Sequence, residues 1–199
     1  MTTTSGTLRS RNLRTLGGLA GLFLVPLIVS FWMYYATDWR PAAHVNHGEL
    51  ISPALPLPRI DLPREQGDMA SADLFAHHWS LVYVGSGNCD DACRRALYVM
   101  RQTRLALNNE MTRVDRVFLV TGHCCSREFL AREHPGLLVL DASAASAAPL
   151  LDKFPAQDRD NGLFIIDPLG NLMMSFDARQ NPKGLLQDLQ KLLRLSSIG

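Results

Sequence analysis

The chain has 199 residues and a mass of 22.1 kDa, enough for one domain of ordinary size plus an appendage. A content of 47% hydrophobic and 20% charged residues excludes a disordered polymer, and a formal charge of +1 gives no case for binding nucleic acid. The four cysteines, Cys89, Cys93, Cys124 and Cys125, are too few and too unevenly spaced for a disulfide framework and suit a redox or metal site.

No charged residue lies between Arg14 and Asp38, and an apolar run extends from Leu16 to Ala36. At about 1.5 Å per residue it spans a hydrocarbon layer of roughly 30 Å. Arg9, Arg11 and Arg14 precede it without any acid, which by the positive-inside rule places residue 1 in the cytoplasm. Trp32, Tyr34, Tyr35 and Trp39 read as an interfacial belt, and Pro26 is tolerated in a membrane helix. The rival reading is a cleaved signal peptide, whose apolar core usually covers about 7–15 residues and ends at a small-residue site. This run is longer and is followed by bulky aromatics. The expected organisation is therefore a cytoplasmic tail (1–14), a single-pass anchor (15–37), a proline-rich linker (38–72) and a folded domain (73–199). In a bacterium the anchor would sit in the inner membrane and the domain in the periplasm, where disulfides persist.

The linker carries Pro41, Pro53, Pro56, Pro58 and Pro63, a density that favours extended backbone. It reads as a stiff tether that adds an edge strand around Leu50–Leu62, with His44 and His47 as solvated histidines.

Within the domain, Ser80–Gly85 reads as a buried central strand. Asp91 is a plausible N-cap for a helix whose Cys93, Ala96, Leu97, Met100, Arg104 and Leu107 fall at helical spacing. Cys93 then belongs to the buried stripe, and Cys89, before the first turn, is the exposed member. Val114–Thr121 is a second strand running into Gly122-His123-Cys124-Cys125, and Ser126 caps a short helix to Glu133. Leu137–Leu140 is a third strand, Ser143–Phe154 an alanine-rich helix, and Leu163–Asp167 with Leu172–Phe176 a hairpin. Lys183–Leu195 closes as an amphipathic helix. Alternation of strands and helices followed by a hairpin predicts an α/β, thioredoxin-like sandwich, a mixed sheet flanked by helices.

Ligands of parallel sheets gather beyond the carboxyl ends of the strands. The strands ending at Gly85 and Thr121 share that edge, so Cys89 is expected beside His123, Cys124 and Cys125, with Arg159–Asn161 alongside. His134 falls at the opposite edge, as a structural residue. A cysteine pair at a helix start can exchange disulfides, Cys89 attacking and Cys93 resolving. Arg94, Arg95 and the helix terminus favour a thiolate there, while Asp90 and Asp91 oppose it. Two inert structural cysteines, and two small buried residues at Cys124-Cys125, are the plainer readings.

These pieces resemble the SCO/SenC group of thioredoxin-like copper proteins that help assemble cytochrome c oxidase, and in particular small membrane-anchored bacterial members. The resemblance rests on Trp79-Ser-Leu-Val-Tyr-Val-Gly85, the C-x-x-x-C spacing of Cys89 and Cys93, and the Ile165-Ile-Asp-Pro-Leu-Gly-Asn171 hairpin. It covers roughly residues 75–195, taken as one thioredoxin-like domain. It implies a copper site of two cysteines and one histidine. The cysteines fall on Cys89 and Cys93; the histidine falls in the loop Asp158-Arg-Asp-Asn-Gly162, which contains none, and Arg94 replaces a proline common in that group. His123, Cys124 or Cys125 would be the substitute metal ligands. The implied function is an accessory protein of oxidase assembly, delivering Cu(I) to, or reducing, an oxidase subunit or another periplasmic thiol protein. The alternatives are a general membrane-tethered thiol oxidoreductase and a binding module that has lost the chemistry.

Overall fold

A computed structural model describes residues 5–36, 46–65, 67–122, 127–157, 159–196 and 198. Contacts divide the chain into two units, residues 1–44 and 45–199. The first unit holds one helix, α1 (Ser5–Ala36), with Pro26 inside it. Its stretch Arg14–Ala36, 23 residues with a mean hydropathy of 2.0, is long and apolar enough to cross a membrane, and none of its apolar window is buried against protein. At 1.5 Å per residue it reaches about 35 Å, slightly more than a hydrocarbon core of roughly 30 Å.

The second unit is built on a six-stranded mixed sheet. Its strands are β1 (Glu49–Pro56), β4 (Trp79–Gly85), β5 (Val114–Val120), β6 (Leu138–Asp141), β7 (Gly162–Ile166) and β8 (Asn171–Asp177). Across the sheet the order is β1-β8-β7-β4-β5-β6. β4, β5 and β6 run parallel, whereas β7 is antiparallel to β4, β8 to β7 and β1 to β8. A two-stranded ribbon, β2 (Leu62–Pro63) with β3 (Met69–Ala70), lies outside the main sheet.

All seven residues of β4 are buried, because both faces of the sheet are covered. Side chains alternate between the faces with the strand period of two. On one face Leu81, Tyr83 and Phe118 pack with α2 (Asp91–Ala106) and α5 (Pro182–Leu195) through Cys93, Leu97, Met100, Leu185 and Leu189. On the other, Val82, Val84, Val117 and Leu119 pack with Phe75, Leu150 and Phe154. This is the thioredoxin-like sandwich expected from the alternation of elements.

Three local expectations change, and a fourth, the edge strand, holds. The N-cap of α2 is Asp90, not Asp91: Asp90 keeps extended backbone (φ −68°, ψ −170°), and its carboxylate accepts the Cys93 N–H. The alanine-rich stretch forms only a 3-10 turn (Ala145–Ala147) and the single turn α4 (Ala148–Leu151). Pro149 cannot donate to the preceding turn, and Pro155 disfavours helical backbone at Phe154. The edge strand expected around Leu50–Leu62 is present as β1, which pairs with β8 at one edge of the sheet. His47 is not a solvated linker residue: its N–H and that of Gly48 both donate to Asp188 Oδ2 at 2.8 Å, and its Nδ1 lies 3.2 Å from Oδ1. His44 lies outside the described residues.

Candidate functional site

Parallel pairing brings Gly85 opposite Val120, and the Thr121 N–H donates to the Gly85 carbonyl at 3.0 Å. Antiparallel pairing of Tyr83 with Leu163 brings the start of β7 to the same edge. The edge expected from topology is therefore real, and the chain leaves it at Gly85 for the cysteine loop.

The loop turns sharply. The Cys89 N–H donates to the Ser86 carbonyl at 3.3 Å, and Cys89 adopts left-handed backbone at φ +40°. Left-handed backbone at an L-residue costs roughly 1–2 kcal/mol, and such conformations gather at functional sites. Asp90 then starts the helix: Oδ1 accepts the Cys93 N–H at 3.0 Å and its carbonyl accepts the Arg94 N–H at 2.9 Å. One turn of α2 places Cys93 beneath Cys89, and their sulfurs form a disulfide with Cα atoms 4.9 Å apart. Cys93 is 1% exposed and Cys89 7%. Cys89 is thus the more accessible residue of the pair, but it is less exposed than its position before the helix implies, because the disulfide folds it onto the core.

Tyr83 belongs to the same buried cluster as the pair. Its hydroxyl donates to the Asp160 carbonyl at 3.0 Å, and its ring centroid lies 5.3 Å from that of Phe118. Burial, reinforced by the nearby Asp160 and Asp90 carboxylates, pushes the phenol pKa well up. It stays protonated and serves as a neutral donor.

The 3-10 turn Arg159–Asn161 does stand alongside, packed on β4 and α2. Its groups are engaged elsewhere. Arg159 Nη2 donates to the carbonyls of Phe154 at 2.7 Å and Leu151 at 3.3 Å, and the Asn161 carbonyl accepts the Ala178 N–H at 2.8 Å. Asp158 lies outside the described residues. So do His123, Cys124, Cys125 and Ser126, the turn proposed to supply substitute metal ligands. His134 stands just before β6, away from the cysteines, and is buried (5% exposed) as a structural residue would be.

Among the described residues, no cluster of three or more His, Cys, Asp and Glu side chains is placed to hold a metal ion. Once reduced, Cys89 and Cys93 offer two soft sulfur donors, which suits Cu(I). A nitrogen donor of the kind that helps hold Cu(II) does not stand beside them among the described residues. The residues fit a two-thiolate Cu(I) site, and only in the dithiol state.

Tyr83 and Gly85 are the supporting residues that sequence reasoning missed, and Asp90, expected there only for its charge, also caps the helix. The one available signal was a tyrosine inside an otherwise apolar, fully buried strand, since a buried phenol needs a hydrogen-bond partner.

Residues 79–196 match the family model described as a transmembrane-like, thioredoxin-like, C-terminal domain. No curated protein matches the chain in sequence. Among solved structures it is similar to apo Sco1 from Thermus thermophilus, with a TM-score of 0.60 and 20% identity over 76% of this chain and 99% of that one. It is similar to yeast Sco1 with copper bound, with a TM-score of 0.61 and 18% identity over 73% and 96%. It is also similar to BsSco, a member of the Sco family of cytochrome c oxidase assembly proteins in which a disulfide switch was identified, with a TM-score of 0.54 and 14% identity over 74% and 100%. At these identities the likeness is one of fold, and it is the fold that the SCO/SenC resemblance implies. With more than half of its length matched, the chain belongs to the family of transmembrane-like, thioredoxin-like C-terminal domains, and its fold is Sco-like.

Proposed function

We propose that the chain is a membrane-tethered, SCO-like dithiol protein that serves cytochrome oxidase assembly by exchanging disulfides with a cysteine-bearing partner outside the cytoplasm. The observation that carries this reading is the Cys89–Cys93 disulfide across the first turn of α2, with Cys89 the more accessible residue. In the reduced protein, Cys89 thiolate attacks one sulfur of a partner disulfide, and the other partner sulfur leaves as a thiolate. Cys93 thiolate then attacks Cys89 Sγ and releases the second partner thiolate. The partner gains two electrons and the Cys89–Cys93 disulfide forms. Protons from solvent complete the partner's thiols.

Copper enters this reading as cargo. Two thiolates hold Cu(I) only while the pair is reduced, so loading and exchange compete for the same sulfurs. The loop Arg159–Asn161 holds no soft donor, which favours exchange over copper delivery as the principal activity.

The test uses the full chain in detergent micelles with a disulfide-bonded cysteine peptide. Cys93→Ser is expected to accumulate a mixed disulfide through Cys89, and Cys89→Ser to accumulate none. Absence of adduct with Cys93→Ser sinks the exchange reading. If that variant is inert while the parent, reduced, takes up Cu(I) against a competing chelator and Cys89→Ser does not, delivery is the activity. Inertness in both assays leaves a binding module.

A further inference from the structure

The face of α2 that leads away from the disulfide is cationic and concave. The helix buries Cys93, Ala96, Leu97, Val99, Met100 and Thr103 against the sheet. Arg94, Arg95, Tyr98 and Arg101 line a groove of about 370 Å³, whose opposite wall comes from Phe129 and Glu133 of α3 (Arg127–Glu133) and from His134. That volume lies at the lower end of ordinary ligand pockets, roughly 300–1,000 Å³.

Asp177, whose pKa is lowered chiefly by its hydrogen bond to Arg179 and in part by Arg95, offsets some of the groove's charge from beyond ion-pair distance. Arg94, Arg95 and Arg101 form no ion pair with a carboxylate among the described residues. Glu133, the acid on the rim, is drawn to Arg132 at 3.0 Å. Arg94 is held in place, its guanidinium 5.5 Å from the Phe129 ring centroid, a cation–π contact. Tyr98 is 58% exposed and gives the groove an apolar wall beside its cations.

A second, independent observation lies at the far end. His134 is 5% exposed, lines the groove, and its Nδ1 is buried with no hydrogen-bond partner. Behind it Arg116, 4% exposed, donates Nη2 to the Pro135 carbonyl but leaves Nε and Nη1 buried and unbonded. Buried polar groups without partners are costly, and a carboxylate arriving at this end meets the unpartnered His134 ring with the cationic field of Arg116 behind it.

We propose that the α2–α3 groove is the docking site for an acidic segment, carrying one apolar side chain, of the protein whose cysteines exchange with Cys89–Cys93. The partner chemistry rests on the exchange reading above; the groove does not. Arg94 follows Cys93 directly, and Arg101 lies seven residues on, about 10 Å along the helix. An extended chain covers that distance in about three residues. The partner's carboxylates therefore fall within a few residues of its reactive cysteine, with the apolar side chain on Tyr98 and Phe129.

Serine-containing peptides separate docking from exchange. The full chain in neutral-lipid nanodiscs is titrated with labelled Ser-Glu-Phe-Glu-Gly and with Ser-Gln-Phe-Gln-Gly, read by anisotropy. The acidic peptide is expected to bind at least tenfold tighter at low salt, and the difference to shrink as salt screens it. Arg94→Gln with Arg101→Gln should remove the preference, and Arg94→Glu with Arg101→Glu should transfer it to a lysine peptide. Equal binding of both peptides, or a preference that these variants leave intact, overturns the proposal. So does a chain that ignores both peptides yet co-sediments with anionic phosphatidylglycerol vesicles and not with phosphatidylcholine ones, which makes the groove a lipid-headgroup surface. A preference for the acidic serine peptide, with no adduct from its disulfide-bonded cysteine form, sinks the exchange reading alone.

Discussion

A Cβ built on Gly85 would lie 2.7 Å from both the ring and the hydroxyl of Tyr83, closer than side-chain carbons approach other atoms. Glycine at the end of β4 is therefore what lets the tyrosine ring lie against it and reach the Asp160 carbonyl. Gly85→Ala must push that ring out of a core with no spare room, and overpacking of this kind typically costs about 1–3 kcal/mol. The expected result in urea denaturation is a lower midpoint with an unchanged slope, together with slower resolution of the mixed disulfide formed by Cys89. Tyr83→Phe in the Gly85→Ala background separates the causes. If the clash is with the hydroxyl, stability returns in part, since an intramolecular hydrogen bond contributes only about 1 kcal/mol. Parental stability in Gly85→Ala would show that the ring has another place to go. None of this was legible from composition. The strand pattern marked residues 80–85 as buried, but pattern does not say that a tyrosine turns back over a glycine two positions later.

At the scale of elements, α2 sets the chemistry through its first turn. Asp90 satisfies the Cys93 amide, an N–H that would otherwise point toward sulfur, and places a carboxylate next to the pair. The cap stabilises the helix by about 1 kcal/mol while its charge opposes thiolate formation. Asp90→Asn keeps a comparable capping oxygen and removes the charge. The variant should stay within about 0.5 kcal/mol of the parent in stability. Once reduced, its more reactive thiol should titrate at lower pH, read from the pH profile of alkylation by iodoacetamide. Asp90→Ala should lose the cap as well and unfold earlier. A profile that does not move in Asp90→Asn would mean that the Asp90 carboxylate has no hold on the thiols. Elements with a long apolar period were legible: β4, β5, the hairpin of β7 and β8, α2 and α5 all stand within a residue or two of their expected limits. Among short elements, β6 and α3 also stood within a residue of expectation, but others did not. The two-residue strands β2 and β3 carry no period to read, and the alanines at 143–148 favour a helix that Pro149 interrupts. At the site, the cysteine pair and its shared edge were legible, whereas the N-cap was off by one because either aspartate could serve.

At the scale of the whole molecule, the chain joins an apolar helix to a folded unit whose first strand is already part of the sheet. Asp188 in α5 receives the N–H groups of His47 and Gly48, so residues 141 and 140 positions apart in sequence are tied just before β1 begins. The proline-rich stretch is in this sense a strap belonging to the folded unit, and its Leu55 and Leu57 pack against the core under β4 and β7. Two arguments bear on which side of the membrane that unit is expected to occupy. Arg9, Arg11 and Arg14 lie in the first part of α1, ahead of its apolar run, and the next charge is Asp38, so the positive-inside rule favours a cytoplasmic N-terminal end. A Cys89–Cys93 disulfide, in turn, is favoured in an oxidising compartment. The proposed function therefore predicts residues 45–199 outside the cytoplasm, and reporter fusions test it. A periplasmic reporter such as alkaline phosphatase fused after Gly199 should be active, and a cytoplasmic β-galactosidase fusion inactive. Replacing Arg9, Arg11 and Arg14 by glutamate and inserting lysines after Ala36 should reverse both readouts. In the reversed protein, acid-quenched alkylation should find Cys89 and Cys93 as free thiols, because the cytoplasm reduces them. The intact mass of the mature protein closes the argument. A retained anchor leaves residues 1–36 attached, while loss of that segment would make it a signal peptide and leave the folded unit untethered.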